Sequence, residues 1–141
     1  MAARHVAEHG LSNVSTTATL DGRNTGLPAG RFDFATCNST LRHMHEPLAL
    51  LREMKRVLRP GGGLLIRDLE RPATMDDAWE IVKRVAAGES MQPQQLFFDS
   101  LCAALTSAEV RRLIVQVDWG ELEVTRSSDR HWSVSTLLGR S

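Results

Sequence analysis

The sequence has no excess of charge of either sign: 17 basic residues balance 17 acidic ones over 141 positions. A neutral balance gives no footing to a strongly electrostatic partner, and nucleic acid is not expected as one. Cysteine is scarce. Cys37 and Cys102 lie far apart in different predicted elements, so no disulfide framework or Cys-x-x-Cys metal pair is written here. No apolar run approaches the roughly 20 residues of a membrane span, and the start lacks the apolar stretch of a signal peptide. A cytoplasmic location with no membrane partner is the simplest expectation. Internal repeats, low-complexity tracts and interdomain linkers are absent as well.

What is present is ordinary globular material, 42% hydrophobic and 24% charged. A chain of this length folds as one domain and buries roughly 68% of its unfolded surface. Residues 1–141 are therefore expected to form a single unit.

Ala3, Val6 and Ala7 stand at helical spacing before Gly10, as in the last turns of a helix. The β-branched run from Val14 to Leu20 reads as a strand, and "DGRNTGLPAGR" after it as a loop. A second strand is expected from Phe32 to Cys37. The clearest helix starts at Pro47, a residue suited to the first helical position. Its stripe is Leu50, Leu51, Met54, Val57 and Leu58, with Arg52, Glu53, Lys55 and Arg56 expected to face away. Pro60 and Gly61 to Gly63 are expected to stop it. "GLLIRDL" follows as a nearly continuous apolar run, the pattern of a strand buried on both faces. Strand, helix and strand with short joins predict a βαβ unit and a parallel sheet.

The second half opens with Thr74 as the cap of a helix bearing Met75, Ala78, Trp79, Val82, Val85 and Ala86, ending before Gly88. A helix over "PQQLFFDSLCAAL" comes next, with Phe97, Leu101, Ala104 and Leu105 on one side. Thr106 and Glu109 have capping-box spacing before Val110, Leu113 and Ile114. The end alternates through Leu122 and Val124, then Trp132, Val134 and Leu138, with "RSSDR" between as a hairpin turn.

"FDFATCNSTLRHMHEPLALLREMKRVLRPGGGLLIRDL" resembles the class I S-adenosylmethionine-dependent methyltransferases, in particular their small-molecule-type domains. The match is close from Phe32 to Leu69, and the long "LREMKRVLRPGGG" run is its specific signal. The resemblance implies an α/β, Rossmann-like fold, mostly parallel, with a C-terminal antiparallel hairpin and lid-like helices inserted at about 74–105. It implies methyl transfer from S-adenosylmethionine to a small-molecule acceptor by in-line displacement, chemistry that rests mainly on proximity and alignment. In such sheets ligands bind beyond the carboxyl ends of the strands. By resemblance Asp21 accepts a hydrogen bond from the adenine amino group, with the Gly22 backbone beside the ring. Family members more often carry Ala at the latter position. Asn38 and Ser39 lie toward the methionine end of the cofactor. Arg42 and His43 border the acceptor, with His43 as the candidate base, and Phe97 and Phe98 lie on the lid.

The family's glycine-rich GxGxG turn, and the acid that follows its second strand, have no counterpart in this sequence. The resemblance thus begins about a third of the way into the fold. A charged hydrogen bond contributes about 1.5–3 kcal/mol, so losing two to the ribose costs about 10²–10⁴ in affinity. This chain alone is expected to bind S-adenosylmethionine very weakly. The alternative is a non-catalytic remnant or interaction module that forms a homo-oligomer through an exposed sheet edge.

Several residue types here admit other chemistry. "HVAEH" matches the inverted zinc-protease motif HxxEH at His5 to His9, but stands in a helix stub with no scaffold before it, and coincidence is the reading adopted. His43 and His45 are read as loop residues and no metal is expected. Cys37 is read as a small buried residue, with nucleophile the minor alternative. Asp68 is read as a solvated strand end. Core packing is the default for Trp79, Phe97, Phe98 and Trp132, with a substrate-lining role open for Phe97 and Phe98. Arg126, Asp129, Arg130 and His131 are read as a solvated hairpin.

Overall fold

In a computed structural model of the chain, residues 23–119 and 122–136 are described. The helix expected before Gly10, the strand Val14–Leu20 and Leu138 lie outside them. The elements in order are β1 (Phe32–Asn38), a 3₁₀ turn (Leu41–His43), α1 (Pro47–Val57), β2 (Leu58–Leu69), α2 (Met75–Val85), α3 (Met91–Ala103), α4 (Ser107–Val117), β3 (Leu122–Ser128) and β4 (His131–Thr136).

Pro47 opens α1, and Leu50, Leu51, Met54 and Val57 are buried as the stripe requires. Where the helix stops, the strand starts at once: Leu58 caps α1 and is also the first residue of β2. The Pro-Gly-Gly run therefore sits inside the strand rather than in a separating loop. It makes a bulge, because pairing jumps from Phe32↔Leu58 to Phe34↔Gly63. Gly61 takes a positive φ of 78° there.

Four strands form one sheet in the order β1-β2-β4-β3. β1 and β2 are parallel, while β4 runs antiparallel to both β2 and β3. Three strands therefore point one way, and β4, the second strand of the hairpin, inserts against them between β2 and β3. The α/β class, the mostly parallel strand direction and the terminal hairpin all agree with expectation.

Burial in β2 alternates, which corrects the expectation of a strand covered on both faces. Leu64, Ile66 and Asp68 are buried, whereas Leu65 and Arg67 are exposed. The reason is that α1 and α4 contact each other and share one core with a single face of the sheet. Leu51, Leu64, Ile66, Ile114, Trp132 and Val134 meet in that core. Trp132 satisfies its indole by donating from Nε1 to the Leu105 carbonyl at 3.2 Å.

A second, smaller core forms where α2 and α3 close over Leu69. Thr74 caps α2 by accepting from the Asp77 N–H at 3.0 Å. Thr106 and Glu109 complete the capping box of α4 in both directions. The Phe98 ring lies 4.2 Å from that of Trp79 at an interplanar angle of 14°, a stacked pair joining the two helices.

Candidate functional site

β1 carries Asn38 to its carboxyl end, and the chain turns sharply at the next residue. Ser39 has a φ of 59°, left-handed backbone that is uncommon outside glycine. Its N–H still donates to the Arg67 carbonyl at 2.9 Å, so the ladder with β2 runs to the last possible residue. Thr40 Oγ1 then donates to the Asn38 carbonyl at 3.2 Å, and Ser39 Oγ donates to Asn38 Oδ1 at 3.4 Å. The 3₁₀ turn is pinned by Leu41, which is 2% exposed in the main core. Asn38, Ser39 and His43 remain exposed around this one turn, and Arg42 lies in the same turn.

α3 contacts the 3₁₀ turn that follows Asn38. Phe97 and Phe98, however, are partly buried against the second core, with Phe98 stacked on Trp79. Their rings serve the packing of α2 on α3, the default reading for both.

Cys37 is half-buried beneath the turn. Burial pushes its thiol above the ordinary value of 9.0, a hydrogen bond from Thr40 opposes the shift, and the nearby Asp68 carboxylate adds to it. A thiol so disposed stays protonated near neutrality and is a poor nucleophile.

Three expectations need correction. Asp68 is 1% exposed rather than solvated. It falls on the buried face with Leu64 and Ile66 by strand alternation, and its Oδ1 accepts from the Leu69 N–H at 2.7 Å. The hairpin is not simply solvated either. Arg84 of α2 pairs with Asp129 at 2.7 Å, which ties the turn to that helix. His131 is partly buried, and burial, then the charges of Arg67 and Arg130, lower its pKa from 6.5.

The third correction is Glu53, which points inward with 6% of its side chain exposed. Its Oε2 accepts from the Thr25 N–H at 2.7 Å and from Thr25 Oγ1 at 2.5 Å. Arg56 completes the arrangement, Nε donating to Oε1 at 2.6 Å and Nη2 to Oε2 at 2.9 Å. These bonds, Arg56 first, hold the carboxyl down to about 2. The available signal was spacing: Glu53 lies three residues after Leu50 and four before Val57, on the margin of the apolar stripe.

A cavity of about 480 Å³ opens beyond β2, lined by Glu70, Arg71, Asp77, Thr106, Arg126 and Asp129 among others. Its lining includes neither Asn38 nor His43. Two of its charged groups are engaged, Arg71 with Glu109 at 2.6 Å and Glu70 with the Ser107 N–H and hydroxyl. Among the described residues no group of three or more His, Cys, Asp or Glu side chains could hold a metal ion. His5, Glu8 and His9 lie outside those residues, as do Asp21 and Gly22. No helix among the described residues is long and apolar enough to cross a membrane.

The groups described at this strand end are an amide and a hydroxyl, with the imidazole of His43 in the turn beyond. Such groups fit the zwitterionic methionine end of a nucleoside cofactor, which needs both donors and acceptors and no net countercharge.

Residues 1–66 match the family model described as a methyltransferase domain. A demethylmenaquinone methyltransferase of Chlamydia trachomatis is 42% identical over 65 residues, covering 46% of this chain and 28% of that protein. One from Corynebacterium glutamicum is 29% identical over 110 residues, covering 72% of this chain and 48% of that protein. The crystal structure of a SAM-dependent methyltransferase from Aquifex aeolicus superimposes with a TM-score of 0.65 at 20% identity, covering 96% of this chain and 60% of that one. At that identity the superposition speaks for the fold alone. The chain spans less than half the length of these two curated relatives. Over residues 1–66 the chain is thus similar to methyltransferase domains, and in fold it is like the S-adenosylmethionine-dependent methyltransferase of Aquifex aeolicus.

Proposed function

We propose that this chain, similar to methyltransferase domains over residues 1–66 and in fold, forms the part of a methyl-transfer site that receives the cofactor's adenine and methionine ends. Residues 1–141 act as one unit, with the helices at about 74–105 as its lid. The observation that carries the reading is the family match over residues 1–66, a span that contains Asp21, Gly22, Asn38, Ser39, Arg42 and His43. S-adenosylmethionine, when bound, supplies an activated methyl group. Asp21 accepts from the adenine amino group, the Gly22 backbone flanks the ring, and Asn38 and Ser39 hold the methionine end. His43, exposed at the turn, takes the proton released by the acceptor. Arg42 orients the acceptor beside it. The relatives are named for demethylmenaquinone, so a quinone-type ring is the first acceptor class to examine.

Titration of the 141-residue chain with S-adenosylhomocysteine, followed by amide NMR, tests the site. Weak saturable binding that moves the Asn38 and Ser39 signals and is lost in Asp21→Ala and Asn38→Ala supports it. Binding indifferent to both substitutions refutes the assignment.

One observation favours a second reading, an interaction module that pairs through its sheet edge. β1 ends the sheet among the described residues, and Phe32 and Phe34 are 36% and 49% exposed along it. Sedimentation velocity of the chain and of Phe34→Lys separates the two, since only the second reading requires a dimer that the charge disrupts.

A further inference from the structure

The segment that follows Asp21 and Gly22 runs alongside α1 in step with it. Arg23 pairs with Glu46, the cap of α1, at 2.8 Å. Thr25 meets Glu53 in the middle of the helix through both its N–H and its hydroxyl. The Leu27 carbonyl accepts from Arg56 Nη2 at 2.7 Å. Gly30 N–H then donates to the Arg56 carbonyl at 2.8 Å, and Arg31 N–H to that of Val57 at 2.9 Å. The segment thus descends from the Asn38 end of the sheet, where α1 begins, to the opposite end, where β1 begins.

Apolar packing does not hold this segment. Only Thr25 and Leu27 are partly buried between Arg23 and Arg31, and Gly26 and Gly30 carry positive φ values of 73° and 64°. A chain with two such glycines has wide conformational freedom unless polar contacts remove it. Of those contacts, Arg23 to Glu46 joins side chains that are 46% and 63% exposed, and such pairs contribute little. Glu53 is different. It is shielded from water, donors from Thr25 and Arg56 converge on its one carboxylate, and Thr25 Oγ1 in turn accepts from the Leu27 N–H at 3.2 Å.

We infer that Glu53 is a positioning residue for the cofactor site: by gripping Thr25 it sets the register along α1 of the segment leading out of the Asp21–Gly22 loop. This rests on the reading of that loop as the adenine-binding element. Glu53 touches no cofactor atom in this role; it acts through Thr25 and the backbone between. The carboxyl is held at about 2 by Arg56 and Thr25, so the grip is charged at any working pH.

Amide hydrogen exchange and S-adenosylhomocysteine titration of the full chain test the inference together, on wild type, Glu53→Gln, Thr25→Val, Thr25→Ser and Asp21→Ala. Exchange at Thr25 and Leu27 is expected to accelerate in Glu53→Gln and Thr25→Val, while Leu64 and Ile66 keep their protection. The dissociation constant should rise about tenfold in both, the loss expected of one charged hydrogen bond, and recover in Thr25→Ser. Unchanged exchange at Thr25 and Leu27 overturns the inference. So does accelerated exchange with unaltered affinity, if Asp21→Ala still abolishes binding. If wild type does not bind, or Asp21→Ala binds equally well, the adenine-loop reading itself has failed and the positioning role falls with it. Should Glu53→Gln lose protection at Leu64 and Ile66 as well, Thr25→Val decides, because it leaves α1 intact.

Discussion

Thr25 and Glu53 stand 28 residues apart in sequence, and two hydrogen bonds, at 2.7 and 2.5 Å, join them through one carboxylate oxygen. A loop that buries almost nothing is thereby fixed to the middle of α1.

The same pair carries a pH signature. The Glu53 carboxyl titrates near 2 in the fold against an ordinary value of 4.5. A carboxyl depressed by folding stabilises the native state fully above its unfolded value, and that stabilisation is lost as pH falls through the folded one. Glu53→Gln should therefore be less stable than wild type at neutrality, with the gap closing between 4.5 and about 2. Urea midpoints measured across that range check this. A gap that is constant with pH would mean that the carboxylate charge contributes nothing.

Cys37 should be a slow thiol. Burial and then, against the Thr40 hydrogen bond, the Asp68 charge raise it above 9.0. In a Cys102→Ser background, the rate of iodoacetamide alkylation should reach half its maximum above pH 9.0. A midpoint below that value would revive the nucleophile reading of the turn.

Much of this architecture was legible because it depends on neighbours in sequence. The spacing of Leu50, Leu51, Met54 and Val57 specifies which face of α1 is buried. The Thr106 and Glu109 pair specifies where α4 starts, and alternation through Trp132 and Val134 specifies a half-buried strand. What was illegible depends on partners far away. Glu53 turns inward because Thr25 waits there, and its place on the margin of the α1 stripe is the one local sign of it. The hairpin is evident from "RSSDR", but pairing of β4 with β2 is a choice between distant strands. The site divides in the same way. Asn38 follows from its strand end, whereas the left-handed backbone of Ser39 appears only once β1 is paired up to its last residue.

Phe98 distinguishes a packing role from a lining role for the lid aromatics. Its ring stacks on Trp79 at 4.2 Å and holds α3 to α2. Phe98→Ala should lower stability by roughly 1–3 kcal/mol, less than a fully buried aromatic because the ring is only partly covered. Chemical denaturation gives the value directly. Stability within about 0.5 kcal/mol of wild type, the range of an ordinary surface substitution, would return Phe98 to the candidate acceptor surface.

Gly62 marks a close approach of backbones at the bulge. A Cβ placed there would meet the Arg59 carbonyl oxygen at 2.9 Å and those of Asp33 and Phe32 at 3.2 and 3.3 Å. All three are main-chain atoms of β1 and β2, so no side chain can swing aside. Gly62→Ala should force the two strands apart where their register shifts and cost about 1–3 kcal/mol, the usual range for overpacking. Gly88 supplies the contrast. Nothing lies within 4 Å of its added Cβ and its φ is not positive, so Gly88→Ala should be neutral or stabilising by about 0.4–1 kcal/mol through the unfolded chain. Urea midpoints for the two variants should therefore move in opposite directions or differ widely in size. If Gly62→Ala proves as mild as Gly88→Ala, the strands have slack at the bulge, and the glycines there serve the positive φ of Gly61 alone.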